Sequence, residues 1–359
     1  MKKIDNKGYI LICFFSIIYS FLLQLFLIPR LPAKYFYDSN GILTIINNTI
    51  TSYFDSSYMF TGNFFKAINI FGLTTFNEWA YLITLVMSII TFIFFIKYRN
   101  IKFVDLIFIF ATITLANIYV FRVSKDFIQL FFWIMMYLIY KFCKSDKMSC
   151  FLILIIFCIE GIFFRSYYLG MGILFLIILT LLNNNKKINT KKIVFYIVIG
   201  LILGLLILSK ISPSLYDQIV NMRFYQNRYR IDSVDAVTAI NDVFQSNNPF
   251  IYSLNYIINL FRIMIPLELL TKGLKYIPFV VYQIYLTYSL IKKTKSVSKS
   301  KYILLAIIIS YFAVANLFEP DFGSVVRHEV TLYFILFDFL LERSKVKNEF
   351  IDNKHGKKY

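Results

Sequence analysis

The 359-residue chain contains little cysteine, little histidine and few acidic residues. Its four cysteines, Cys13, Cys143, Cys150 and Cys158, lie within or beside apolar runs, and their spacing indicates neither a disulfide framework nor a metal site. Only two histidines are present, and His355 is in the C-terminal tail. The sequence also lacks internal repeats and low-complexity linkers, so we treat residues 1–359 as a single domain.

Apolar residues dominate: 58% of the chain is hydrophobic, 19% is aromatic, and the mean hydropathy is +0.66. Several apolar runs approach the roughly 20 residues that cross a bilayer, and they recur along the whole length. This pattern predicts an all-α polytopic integral membrane protein. The first run is too long for a signal-peptide core and has no small-residue cleavage site, so we expect an uncleaved span.

The net charge of +18 would suit a nucleic-acid-binding protein, but its distribution indicates otherwise. Lysines collect in both tails and in four short loops between apolar runs, at 97–102, 141–147, 183–192 and 292–301. Lysine-rich short loops mark the cytoplasmic side of a membrane protein. We therefore expect no nucleic-acid partner, two cytoplasmic termini and a basic cytoplasmic tail at 342–359.

Counting outward from these loops predicts ten transmembrane helices, within a range of eight to twelve. The predicted spans lie near 9–28, 79–96, 103–121, 127–142, 150–164, 167–182, 193–209, 274–291, 302–318 and 330–341. Two long loops, 29–78 and 210–273, then lie on the outer, periplasmic side. Arg262, Pro266 and Glu268 predict that 250–272, inside the second loop, is re-entrant or interfacial rather than a plain span.

Arginine is distributed against this topology. Of ten arginines, only Arg99 and Arg343 fall on the predicted cytoplasmic side. The other eight are outside or at the outer edge of spans: Arg30, Arg122, Arg165, Arg223, Arg228, Arg230, Arg262 and Arg327. The planar guanidinium suits bidentate binding of phosphate and carboxylate, so the asymmetry indicates an anionic ligand that approaches from outside or from the outer leaflet. The alternative is that these side chains only extend to lipid headgroups.

The stretch FEPDFGSVVRHE, residues 318–329, is the predicted last outer turn. His328 there is suited to relaying protons near neutral pH, and Arg327 to holding a departing phosphate. Asp321 or Glu319 would accept a proton from an attacking hydroxyl. Two alternatives stay open: a metal held by Glu319 and Asp321, which lack a third ligand, and a structural role as a salt bridge with helix caps.

Three further outer segments carry candidate residues. The tight turns FRVSKDF (121–127) and FRSYYLG (164–170) hold Arg122, Lys125, Asp126, Arg165, Tyr167 and Tyr168. The second long loop predicts an amphipathic helix with Arg223, Asn227 and Arg230 on one face. The tyrosines are alternatively an interfacial belt, and the helix an ordinary solvated surface.

The chain resembles the Wzy-type O-antigen and capsule repeat-unit polymerases and the related EpsG-like exopolysaccharide membrane proteins. The resemblance rests on FEPDFGSVVRHE, FRVSKDF and, in the first outer loop, KYFYDSNGIL, together with the plan of spans and two long outer loops. It implies a GT-C-like architecture in the bacterial inner membrane, without a cofactor or a required metal. A growing glycan would pass from undecaprenyl diphosphate to a lipid-linked repeat unit at the periplasmic face, with a chain-length regulator as partner.

The resemblance and the residues together predict roles for the outer-side residues. Arg327, Arg122, Arg165 and Lys125 would bind the diphosphate. Asp321, His328 or Glu319 would handle the acceptor proton. Asp38, Arg223, Arg230, Tyr167 and Tyr168 would bind sugar or position lipid. A flippase for the same lipid-linked units, an O-antigen ligase and another GT-C glycosyltransferase are the competing functions.

Overall fold

The computed structural model describes residues 6–49, 55–98, 101–184, 190–221, 237–244, 246, 248–295 and 297–341. Across these residues the chain is mainly helical, and an isolated β-bridge joins Ala239 to Asp321. The α-helices are α1 (Asn6–Leu22), α2 (Tyr37–Ile46), α3 (Ser56–Ala67), α4 (Phe76–Phe95), α5 (Phe103–Tyr119), α6 (Lys125–Phe142), α7 (Asp146–Phe163), α8 (Tyr167–Asn184), α9 (Thr190–Ile211), α10 (Pro249–Met264), α11 (Ile277–Thr294), α12 (Tyr302–Phe318), α13 (Phe322–Thr331) and α14 (Tyr333–Leu340).

Within this part of the chain, three helical stretches are long and apolar enough to cross a membrane: Gly8–Arg30, Phe76–Phe95 and Lys299–Phe318. Shorter apolar helices occupy Phe103–Tyr119, Tyr167–Asn183 and Phe195–Ile211. Large apolar side chains such as Leu11, Phe151 and Ile173 are exposed along several helices. An apolar surface of this kind is typical of contact with lipid, so the predicted membrane class agrees with the helices.

The central helix is α12, whose side chains are buried almost throughout and which packs against α8, α10 and α14. At the N-terminus of α12, the Lys301 ammonium donates to the backbone carbonyls of Asp338 (2.6 Å) and Phe339 (3.0 Å) at the end of α14. A lysine placed there satisfies carbonyls that have no partner within the helix. The Tyr140 hydroxyl donates to the Ser300 carbonyl at the same end, so α6, α12 and α14 are joined away from the candidate site.

The candidate residues at 318–329 lie largely in a helix rather than in a connecting turn. Asp321 is the N-cap of α13 and accepts a hydrogen bond from the Ser324 backbone at 2.8 Å. Backbone bonds from Ile240 to Pro320 (2.9 Å) and from Phe322 to Thr238 (3.0 Å) fix this start. The helix therefore begins before Arg327 and His328 and places both in its second turn, whereas the sequence analysis placed them in a turn between spans.

The segment predicted to be re-entrant or interfacial forms α10, which packs against α9 and α12. Pro266 follows the helix, and Arg262 in its last turn makes a two-point ion pair with Glu268, at 2.6 and 2.9 Å. Arg262 is thus neutralised locally. Residues 213–221 are helical, but Arg223, Asn227 and Arg230 of the predicted amphipathic helix lie outside the described residues.

Candidate functional site

Charged side chains from four separate parts of the chain meet at the end of the bundle that carries the turns before α6, α8 and α13. We call this group the ionic cluster: Asp38, Arg122, Lys125, Asp126, Arg165, Glu319, Arg327 and His328. Four fixed cations face three carboxylates around one histidine. Most of the residues predicted to be functional therefore lie together, although they are far apart in the sequence.

Arg327 is held between two carboxylates. Its Nε lies 2.5 Å from Asp126 Oδ2, and its Nη2 lies 2.7 Å from Asp38 Oδ2. Asp126 stands in the first turn of α6, where its charge also favours the helix N-terminus, and it is 1% exposed. Two guanidinium nitrogens are thus committed to protein groups, which makes Arg327 a bridge between α2, α6 and α13.

Asp38 anchors α2 to this bridge. The Tyr58 hydroxyl donates to Asp38 Oδ1, and Lys125 Nζ lies 3.9 Å from the centre of the Tyr58 ring. Burial alone would raise the pKa of Asp38, but the charges of Arg327 and Lys125 outweigh it and hold that pKa well below its usual range. Asp38 is therefore an ionised anchor for Arg327.

His328 has three partners arranged for proton transfer. Its Nδ1 lies 2.6 Å from Glu319 Oε1, while its Nε2 lies 3.2 Å from Arg165 Nη1 and 3.4 Å from Asp126 Oδ1. Because guanidinium only donates, a neutral ring accepts at Nε2 from Arg165 and donates from Nδ1 to Glu319. Asp126 Oδ1 has no hydrogen-bond partner within the described structure, so it is ready to accept from a protonated Nε2. Glu319 accepts from Nδ1 in the neutral ring, and Asp126 is placed to accept from Nε2 once the ring is protonated.

Arg165 can release His328 without losing all its own contacts. Its Nη1 also donates to the Tyr167 hydroxyl at 2.9 Å and to Gln129 Oε1 at 3.3 Å. Nη1 carries two hydrogens and has three acceptors within reach, so Tyr167 and Gln129 satisfy it when Nε2 takes a proton. Arg165 therefore orients the imidazole and adds positive charge at the same point.

Arg122 differs from the other arginines of the cluster. It lies in the turn between α5 and α6, where Val120, Phe121 and Val123 are buried, and it is itself 4% exposed. Its Nε and Nη1 have no hydrogen-bond partner among the described residues, and its guanidinium lies 5.4 Å from the centre of the Phe36 ring. Burial, together with the Arg327 charge, lowers the pKa of Arg122 to about 10. Buried guanidinium normally pairs with an anion, so this position is prepared for an anionic ligand.

Other predicted site residues lie beside the cluster or away from it. Asp321 caps α13, and its Oδ1 lies 3.4 Å from the Thr238 hydroxyl. Tyr168 is fully buried, with its ring 5.9 Å from that of Trp133. Tyr167 meets the cluster through Arg165. Arg223 and Arg230 lie outside the described residues.

Little in the sequence indicated that three residues, Asp126, Tyr58 and Gln129, belong to the site or contact it. Asp126 was noticed only as part of a charged turn, although it contacts both Arg327 and His328. Tyr58 and Gln129 were not selected, because neither carries charge and Gln129 lies within an apolar run. Among the described residues, no group of three or more His, Cys, Asp or Glu side chains is placed to hold a metal ion. The three carboxylates of the cluster face cations instead.

No protein-family model, curated protein or solved structure matches the chain at a significant level.

The Glu319–His328 pair predicts a specific acid sensitivity. Burial would raise the pKa of Glu319, but the His328 charge and hydrogen bond lower it to about 2, from an ordinary value of 4.5. Because the folded pKa is depressed, the stabilisation is fully present above about pH 4.5 and is lost as the pH falls toward 2. Thermal unfolding of wild type and Glu319→Gln should show a gap at pH 5 that closes as the pH falls below about 4.5. A gap that is constant to pH 3 would contradict this pairing.

Replacing Arg327 by methionine should destabilise the protein by about 3 kcal/mol, because it leaves Asp38 and the buried Asp126 without their shared cation. Denaturation in detergent would measure the loss. Arg262→Met is the matched control, since Arg262 and Glu268 are 22% and 29% exposed, close to the 26% of Arg327 and of Asp38, but their pair has no carboxylate as buried as Asp126, which is 1% exposed. Equal losses in the two variants would show that the buried Asp126 carboxylate does not depend on Arg327.

Proposed function

We propose that the chain is a bacterial membrane glycosyltransferase that polymerises oligosaccharide repeat units carried on a lipid diphosphate. The observation that carries the proposal is Arg122, a buried cation whose Nε and Nη1 have no hydrogen-bond partner in the described structure, in the same cluster as a histidine with a basic nitrogen. A diphosphate supplies the missing anion. The histidine supplies the base that a glycosyl acceptor needs.

The proposed arrangement has about ten spans in a GT-C-like architecture, with the ionic cluster at the periplasmic side of the inner membrane and both termini in the cytoplasm. Support comes from the two ends of the bundle. Arg122, Arg165 and Arg327 belong to one end, and the lysine-rich loops near Tyr98, Tyr140 and Lys301 belong to the other. Lysine-rich loops favour the cytoplasmic side.

In the proposed reaction, an acceptor hydroxyl oxygen attacks the anomeric carbon at the lipid-linked end of the growing glycan. A new C–O bond forms as the bond from that carbon to the diphosphate oxygen breaks, and the electron pair leaves with the lipid diphosphate. Arg122, Lys125 and Arg165 stabilise the charge that develops on this leaving group, and Arg327 contributes through the field of the cluster. Undecaprenyl diphosphate is the proposed carrier.

The acceptor proton passes to His328 Nε2. The imidazolium is then stabilised by Glu319 at Nδ1 and by Asp126 Oδ1 at Nε2. His328 is proposed as the base in preference to Asp321, because Asp321 Oδ1 already caps α13. Tyr167 and Tyr168, with Arg223 and Arg230 of the second long loop, remain proposed sugar or lipid contacts. A chain-length regulator remains a proposed partner.

A strain that lacks the gene, with its surface polysaccharide separated on a gel, tests the function. A polymerase predicts loss of the ladder while a single capped repeat remains. Loss of every repeat, with lipid-linked units trapped inside the cell, would instead identify a flippase or an early transferase. Long chains retained on the lipid carrier would identify a ligase.

A further inference from the structure

A pocket of about 180 Å³ lies beside α13. Phe322, Gly323, Val325 and Val326 of α13 line it. Successive helical residues are turned by about 100°, so His328 is directed to the opposite half of the helix, where it contacts Glu319 and Arg165. Arg327 lies one turn after Gly323, and the charges of Arg327 and Arg122 reach Tyr119 of the pocket wall, so the pocket borders the ionic cluster on that side.

The pocket wall is unusually aromatic. Its aromatic residues are Tyr35, Tyr119, Tyr276, Phe279 and Phe322. Its volume is below the range of about 300–1,000 Å³ that is common for drug-sized ligands, so it suits one ring-sized group. The faces of these aromatic side chains can pack against the C–H surface of a bound ring, and the tyrosines add hydroxyl groups at the edge.

One buried polar group in the pocket lacks a partner. Gln283 lines the pocket, is 1% exposed, and donates from Nε2 to Glu329 Oε2 at 3.0 Å. Its Oε1 has no hydrogen-bond partner in the described part of the chain. Buried acceptors are nearly always satisfied, so Oε1 requires an O–H or N–H donor. A polyprenyl chain has no such donor and would seal an unsatisfied oxygen beneath it.

We propose that this pocket binds one sugar ring of the lipid-linked substrate, with a hydroxyl or acetamido N–H donating to Gln283 Oε1. The proposal rests on the proposed function and adds a subsite to it. The α13 helix, about 10 Å wide with its side chains, separates this ring from His328, so the bound ring is not the reacting one. The subsite selects which repeat unit is accepted and leaves the chemical step unchanged.

Photo-crosslinking in native membranes tests the occupant directly. The full chain carries p-benzoylphenylalanine in place of Lys34, which is on the pocket rim, or in place of Lys66, an exposed lysine of α3 that does not line the pocket. After irradiation, mass spectrometry should find a sugar-containing adduct at position 34 and none at position 66. The adduct should fall at least about threefold when Gln283→Leu is added. An adduct with only prenyl or acyl mass, or no sugar adduct at position 34, would overturn the proposal.

Kinetics give a second readout. Gln283→Leu should raise the KM for lipid-linked repeat units about three- to tenfold and leave kcat unchanged, as expected for loss of a binding hydrogen bond. Val326→Phe, which narrows the pocket and keeps Gln283, should raise KM in the same way. Gln24→Leu is the control, because Gln24 is a buried glutamine of the α1 region that contacts Asn117 elsewhere. An unchanged KM in both pocket variants would reject the subsite.

The two proposals fail separately. Loss of the ladder in the deletion strain, with no sugar adduct at position 34, keeps the polymerase and rejects the subsite. A sugar adduct at position 34, with an intact ladder in the deletion strain, rejects the polymerase and keeps a sugar-binding pocket.

Discussion

Arg122→Met is expected to reduce polymerisation by at least about 100-fold while leaving the unfolding temperature unchanged or slightly raised. Removing a preorganised donor to a developing negative charge commonly costs 10²–10³ in rate. Removing a buried cation whose Nε and Nη1 have no protein partner leaves no acceptor stranded, so the fold loses little. The ladder on a gel and the unfolding temperature of the purified variant measure the two effects.

The control for Arg122→Met is Arg30→Met. Arg30 is also predicted to lie on the outer side, but it is exposed and donates to the Phe26 carbonyl in its own helical turn. It should keep both ladder and stability. A full-length ladder in Arg122→Met and in Arg327→Met at normal expression would exclude the diphosphate role of these arginines. A large loss of stability in Arg122→Met would instead show that the side chain is structural.

His328→Gln is expected to lower the turnover rate by roughly 10²–10⁴, the range typical of removing a positioned general base. Substrate binding should persist, because the arginines and Lys125 are unchanged. His328→Asn is more informative, since its amide still donates toward Glu319 but has no basic nitrogen at the Nε2 position. Both variants should therefore bind lipid-linked repeat units and fail to extend them.

The chain's other histidine provides the matched control for these variants. His355→Gln should retain a normal ladder. Near-normal turnover in His328→Asn would assign the proton to another group.

The sequence predicted which residues lie together better than it predicted their pairing. The excess of arginine at the predicted outer turns, and the single histidine near Arg327, were enough to select most of the ionic cluster. The pairing of Arg327 with Asp38 and Asp126 was not foreseen, because the spacing of charges within a turn says nothing about which distant turn they meet. Tyr58 and Gln129 gave no signal, since uncharged residues acquire this role only through packing.

The sequence also predicted that the chain consists of apolar helices, but it did not predict where every helix begins. Apolar runs predicted α1, α4 and α12 well, because length and hydropathy determine a membrane helix. The sequence predicted a turn over 318–329, but Asp321 caps a helix that begins at Phe322. The candidates Arg327 and His328 therefore lie in a helix rather than in a loop.

The ion pair between Asp38 and Arg327 joins residues that are 289 positions apart in the chain. During synthesis, α2 and α6 are made long before α13, so a growing chain carries Asp38 and Asp126 into the membrane without Arg327. The last helices therefore complete the charge balance as well as the site. A chain halted before residue 322 retains two acids without this cation, and it should be a substrate for membrane quality control rather than a partly active enzyme.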